Sequence, residues 1–285
     1  MELEDKNALV TGANSGLGKA VARALAARGA TVLMAVRDPE RGEAARAEIE
    51  AATGNDRLHL LVADLASQTE VRRLAAEAKA KCPVLHMLVN NAGTAHPVRR
   101  LSEDGIECTL AVNHLAPFLL TNLLLDELRA GAPSRIVNVG TRINYAMELG
   151  DLNWEGRSYR MMHAYAQSKL GMLHFTRELG RRLQGSGVTV NCVFPGVFNS
   201  NLGGTDGAQG VFWKSVSVML GWALTQPDKA AERVVYLLLS PEVADVNGEY
   251  FGDRRIISAP AQADDPAANA RLWEISARLT NLDDG

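Results

Sequence analysis

Short apolar runs alternate along this chain with longer segments whose apolar positions recur every three to four residues. Asn7–Thr11 reads as a first strand, and Val21–Arg28 has helical period up to a stop at Gly29. Thr31–Val36 is the next strand, and Asp38-Pro39 opens a helix through about Ala52. The same reading predicts strands at Leu58–Val62, Leu85–Asn90, Arg135–Val139 and Val188–Phe194. Helices are predicted at Gln68–Lys81, Ile106–Leu128, His163–Leu183, Asp228–Leu239 and, in the tail, near Ala268–Leu279. Strands of about five residues separated by helices of ten or more make βαβ units and a parallel sheet. Strands buried on both faces explain the continuous apolar runs. The expected fold class is therefore α/β, one doubly wound parallel sheet with helices on both faces. No linker or repeat interrupts residues 1–285, so a single domain is expected. An irregular insert occupies about 200–226, and a C-terminal tail runs from about 253 to 285.

Composition narrows the classes. Hydrophobic residues make up 47% of the 285, enough for a substantial core. The formal net charge is −3, with lysine and arginine scattered rather than striped, which argues against nucleic acid as a partner. Cys82, Cys108 and Cys192 lack metal-site spacing, and no metal is expected. The start, MELEDKNALV, is acidic and then apolar, unlike a signal peptide, and no run reaches the ~18 apolar residues of a membrane helix. The expectation is a soluble, cytoplasmic protein without a membrane span.

Thr11-Gly12-Ala13-Asn14-Ser15-Gly16-Leu17-Gly18 lies between the first strand and its helix. Gly12 permits a tight turn; Gly16 and Gly18 let the backbone approach a pyrophosphate and the helix pack on the strand. The helix N-terminus offers free N–H groups to the phosphates. In this strand–turn–helix setting the pattern reads as a dinucleotide site of Rossmann type.

The pattern T-G-x-x-x-G-x-G resembles the short-chain dehydrogenase/reductase superfamily, and further motifs follow in the family's order. Asn90-Asn91-Ala92-Gly93 resembles its N-N-A-G, which steadies the sheet and lines the adenosine site. Asp64-Leu65 resembles its adenine contact, Tyr165-Ala166-Gln167-Ser168-Lys169 its Y-x-x-x-K, and Pro195-Gly196 its nicotinamide loop. The loop's continuation, Val197 and Ser200, is expected at the cofactor too. Asn113 stands at the family's fourth catalytic position. The resemblance covers residues 5 to 255. TGANSGLGKA, Arg37-Asp38, VNHLAPFLLT and Arg271-Leu272-Trp273 are most similar to the retinol dehydrogenase-like branch. Relatives of this kind often form dimers or tetramers, so the resemblance allows a homo-oligomer.

An NAD enzyme usually ends its second strand on a carboxylate for the ribose 2′-hydroxyl. Here Val36 is followed by Arg37, whose guanidinium fork suits a 2′-phosphate, while Asp38 before Pro39 starts the helix. NADP(H) is expected over NAD(H). Ser15 departs from this, because many NADP-preferring relatives carry a basic residue there.

Tyr165 and Lys169, four apart, share one helical face. An ammonium beside the phenol, with the charged nicotinamide ring, should lower a tyrosine from its usual ~10 and make it an acid/base for an alcohol or carbonyl. The lysine would also hold the nicotinamide ribose, and Asn113 would tie it to a water chain, as the resemblance implies. The family's serine is missing: Val139 is followed by Gly140-Thr141 where a Ser-Ser pair is usual. Thr141 keeps the hydroxyl, but its methyl restricts χ1. It is either a working substitute or the mark of a site that has drifted.

The leading expectation is an oxidoreductase that interconverts a hydrophobic carbonyl compound and its alcohol. Non-redox chemistry at the same site (cyclisation, dehydration or epimerisation) and a non-catalytic NADP(H)-binding protein remain the alternatives. The apolar stretch Val211–Trp222, flanked by glycines, reads as a substrate lid, an oligomer or core helix, or a shallow membrane contact. Phe198, Met147 and Tyr145 are candidates for an apolar pocket, and His96 for the substrate space. His163 is read as lining or surface, and His114 as a packed residue.

Overall fold

The computed structural model describes residues 2–142, 145–196 and 226–282. Val197, Phe198, Ser200 and the expected lid at 211–222 lie outside the described residues. Among the described residues eight strands form one sheet in the order β3-β2-β1-β4-β5-β6-β7-β8. They are β1 (Asn7–Thr11), β2 (Thr31–Val36), β3 (Leu58–Val62), β4 (Met87–Asn90), β5 (Ser134–Val139), β6 (Val188–Phe194), β7 (Tyr250–Gly252) and β8 (Arg255–Ile256). All neighbours pair in parallel except β7 with β8. The order runs outward from β1 to β3, then restarts at β4 on the other side of β1. That reversal opens a crevice at the carboxyl ends of β1 and β4.

Helices α1 (Gly16–Ala26) and α2 (Pro39–Thr53) pack on one face of the sheet; α3 (Gln68–Lys81) packs on the other. The predicted long helix 106–128 is broken. It comprises α4 (Cys108–Leu110), a π-helical turn (Ala111–Leu115), α5 (Ala116–Leu123) and α6 (Leu125–Ala130). Pro117 is the physical reason. It has no N–H for the carbonyl of Asn113 four residues back, so the ladder must widen there. The buried Glu107 carboxylate caps the segment, accepting from the Thr109 and Leu110 amides at 2.9 and 2.8 Å.

Helix α7 (Met161–Arg182) joins α3 and α5 on their face, and α8 (Pro227–Leu239) joins α1 and α2. The tail helix α9 (Pro266–Leu279) lies on α5 and α7, with the Trp273 ring 4.8 Å from Phe118 and 6.0 Å from Phe175. Two fully buried histidines stand beneath it: His114 Nε2 is 2.8 Å from Ser276 Oγ, and His174 Nδ1 is 2.5 Å from Asn269 Oδ1. Burial pushes His114 down to about 3, with the neighbouring His174 acting the same way. Burial also lowers His174.

Because both folded values lie below the usual value of 6.5, the unfolded chain takes up protons first as the pH falls. Stability should be unaffected by this pair above pH 6.5 and should fall below it, by up to about 1.4 kcal/mol per pH unit for each histidine. Thermal unfolding across pH 7 to 5 checks this. His114→Phe should flatten the slope, and an unchanged slope would count against it.

Candidate active site

A cleft of about 670 Å³ opens at the crevice between β1 and β4. Most of the residues expected at a cofactor line it: Gly12, Asn14, Ser15, Gly16 and Leu17 from the first turn, Arg37 after β2, and Asp64 and Leu65 after β3. Asn91, Ala92 and Gly93 after β4 and Pro195 and Gly196 after β6 complete the set. Thr141, Tyr165 and Lys169 share the same cleft. Gly18 and Asn113 are not among the residues that line it.

The first turn has room for a phosphate. Gly16 has φ +52°, and a Cβ on it would meet nothing within 4 Å. The amides that begin α1 have no intrahelical partner, and the Ser15 side chain does not cap them. Gly18 is required for the opposite reason: a Cβ there would lie 2.3 Å from the Gly12 carbonyl oxygen. The turn is tied to the second motif through Thr11. Its hydroxyl accepts from the Asn91 and Ala92 amides at 2.9 and 3.0 Å, and Asn91 Nδ2 donates to the Thr11 carbonyl at 2.8 Å.

At the far end of β2, Asp38 caps α2, accepting from the Arg41 amide at 3.1 Å. Arg37 and Arg41 both line the cleft, and neither guanidinium has an ion pair among the described residues. Arg41 was not among the residues expected from sequence; its place in the first turn of α2, one turn after Arg37, is the signal that could have found it.

Lys169 is buried, and its Nζ donates to the Val139 carbonyl at 2.9 Å. The sequence reading expects this ammonium to pull Tyr165 down. In the chain itself burial prevails, raising the Tyr165 phenol to about 12 and lowering Lys169 to about 8. Gly140 has a packing role, since a Cβ there would lie 2.6 Å from Cys192 Sγ.

Direct hydrogen bonds hold the Asn113 side chain in place. Asn113 Oδ1 accepts from the Thr94 amide at 2.7 Å, and Nδ2 donates to the Thr94 carbonyl and Ser168 Oγ, each at 2.9 Å. Ser168 in turn donates to the Tyr165 carbonyl at 2.8 Å. Asn113 therefore braces the helix that carries Tyr165 and Lys169 against the loop after β4. Asn90 and Asn138 form a second buried network, which sequence reading missed. Asn90 Nδ2 donates to Asn138 Oδ1 at 2.8 Å and to Thr121 Oγ1 at 3.0 Å; Asn138 Nδ2 donates to Thr176 Oγ1 at 2.9 Å. A lone asparagine inside the apolar run of β5 was its trace.

His96 lines the cleft and is half-buried, with Nε2 3.3 Å from Thr94 Oγ1. Met147 belongs to the core and Tyr145 Oη lies 2.8 Å from His163 Nδ1; neither lines the described cleft. Among the described residues no group of three or more His, Cys, Asp or Glu side chains is placed to hold a metal ion, and no helix is long and apolar enough to cross a membrane.

Residues 6–209 match the family model for short chain dehydrogenases. The chain is 43% identical to human retinol dehydrogenase 13 over 98% of its own length and 85% of the relative's. It is 40% identical to mouse retinol dehydrogenase 14, over 98% and 87%. A solved structure of an uncharacterised protein from Mycobacterium paratuberculosis superposes with a TM-score of 0.78 at 34% identity, covering 98% of this chain and 95% of that one. A short chain dehydrogenase from Burkholderia cenocepacia in complex with NADP gives 0.67 at 32% identity, over 88% and 97%.

Proposed function

Because the chain belongs to the short chain dehydrogenase family, in the branch of the retinol dehydrogenases, we propose that it is an NADP(H)-dependent oxidoreductase interconverting a hydrophobic carbonyl compound and its alcohol. The observation that carries this reading is the common cleft of the glycine turn, Thr141, Tyr165 and Lys169. Gly12, Asn14, Ser15, Gly16 and Leu17 would hold the pyrophosphate; Asp64, Leu65, Asn91, Ala92 and Gly93 the adenosine; and Tyr165, Lys169, Pro195, Gly196, Val197 and Ser200 the nicotinamide half. The bound dinucleotide supplies or accepts the hydride.

The remaining chemistry belongs to the chain. Tyr165, held near 12, is a protonated phenol at neutral pH and can give its proton to a carbonyl oxygen. Thr141 would donate a hydrogen bond to the same oxygen. Lys169, anchored on the Val139 carbonyl, keeps its charge below about 8 and supports the phenolate left behind. The retinol dehydrogenase relatives make all-trans-retinal with NADPH the first assay. Absence of NADPH oxidation with retinal and with simple aliphatic and aromatic aldehydes and ketones would overturn the reading.

Preference for the phosphorylated dinucleotide rests on Arg37, with Arg41 beside it and the Asp38 carboxylate already engaged by α2. A charge-assisted contact of this kind contributes about 1.5–3 kcal/mol, so Arg37→Ala should weaken NADPH binding by about 10- to 100-fold. NADH affinity should hardly change. Side-by-side fluorescence titrations check this, and equal affinities of the native protein for NADPH and NADH would end the argument.

A further inference from the structure

Asn113 sits in a turn that the sequence itself weakens. A regular helix would give its carbonyl the N–H of residue 117, and Pro117 has none. The widened turn Ala111–Leu115 depends on its neighbours for its shape. Thr94 and Ser168 hold it on the cleft side through the Asn113 amide.

The next residue, His114, points elsewhere round the turn, toward the tail helix. Its Nε2 meets Ser276 Oγ on α9 at 2.8 Å, and both residues are fully buried. The single hydroxyl proton of Ser276 goes to the Leu272 carbonyl at 2.8 Å. With that proton on Leu272, the hydroxyl accepts from the ring in its Nε2–H tautomer. The ring packs close over Gly171, where an added Cβ would lie 2.9 Å from Nδ1.

Helix α9 is a firm support. His174 holds its first turn through Asn269, and the aromatic contacts of Trp273 hold its middle. Gln68 Nε2 donates to the Leu279 carbonyl at 2.8 Å, and Arg72 donates to those of Thr280 and Asn281.

We propose that Ser276 is a positioning residue, through which the C-terminal helix, acting on His114, sets the π turn that presents Asn113 to the active site. The proposal rests on the functional reading of Tyr165, Lys169 and Asn113 given above.

The test compares Ser276→Ala, His114→Leu, His114→Gln, Asn113→Ala, Gln68→Ala and the double variant Asn113→Ala/Ser276→Ala. Turnover is read with NADPH and all-trans-retinal, and hydrogen exchange over Cys108–Leu123 is read without any substrate. Ser276→Ala and His114→Leu should lower kcat about tenfold, as misplacement within a site does, with KM little changed. Exchange in the turn should rise in both. His114→Gln, whose amide can replace the ring N–H, should recover most of kcat. Gln68→Ala frees one end of α9 without touching His114, so it should leave both readings alone whatever its melting temperature. The double variant should be no slower than Asn113→Ala.

Native exchange over the turn in Ser276→Ala and His114→Leu would overturn the proposal even if retinal is not turned over. So would a full kcat in Ser276→Ala where Asn113→Ala is impaired, or losses that add in the double variant. A full kcat in Asn113→Ala would instead bring down the reading of the site on which the proposal rests.

Discussion

Replacing Tyr165 by phenylalanine is expected to lower kcat by about 10²- to 10⁴-fold, the usual contribution of a positioned acid/base group. The change removes one oxygen and leaves the ring in place. Tyr165 lies on the same wall of the cleft as Lys169, and the Asn113–Ser168 brace acts on its main-chain carbonyl rather than its hydroxyl. Folding and NADPH affinity should therefore stay near native, and the loss should fall on turnover.

The result also separates the three functional classes open to the sequence. A dehydrogenase loses NADPH oxidation. An enzyme doing non-redox work at this tyrosine loses turnover with no change at the nicotinamide absorbance in either protein. A binding protein keeps its function. Single-turnover kinetics with pre-bound NADPH would make the comparison, and a variant retaining native turnover would remove Tyr165 from the chemistry.

Parallel strands buried on both faces write themselves plainly into a sequence. The bounds of β1, β2, β3 and β6 follow directly from their apolar runs. The strands β7 and β8, three and two residues long, are too short to leave a period and were not legible. The glycine turn and the Tyr165–Lys169 spacing were legible because their residue types have few other uses in that order. The break at Ala111–Leu115 was written in Pro117 but was overridden by the apolar periodicity of the segment around it.

What local sequence could not supply was the partner of each polar side chain. Asn113 reads as a residue facing the cleft, and only the packing of α7 against the loop after β4 shows its amide spent on Thr94 and Ser168. The direction of the Tyr165 shift depends likewise on how deeply the phenol is buried, which spacing along a helix does not reveal.

Gly18→Ala is expected to damage both stability and cofactor binding, and comparison with Gly16→Ala separates the two. A Cβ at 18 would lie 2.3 Å from the Gly12 carbonyl oxygen and 2.4 Å from Asn91 Nδ2. Neither can move cheaply. The first is backbone in a residue with φ +67°, and the second is held on the Thr11 carbonyl at 2.8 Å. Helix α1 must back away from the turn, at a cost of about 1–3 kcal/mol in stability. The amides at its N-terminus move with it, and a similar ~3 kcal/mol taken from phosphate binding corresponds to about a hundredfold in affinity.

At Gly16 the balance differs. No atom lies within 4 Å of its added Cβ, so the folded chain bears only the left-handed strain of about 1–2 kcal/mol at φ +52°. The methyl would instead enter the space proposed for the pyrophosphate. Melting curves and NADPH titrations should therefore show Gly18→Ala losing both properties and Gly16→Ala losing mainly affinity. Native NADPH affinity in Gly16→Ala would mean that the phosphates lie elsewhere than over this turn.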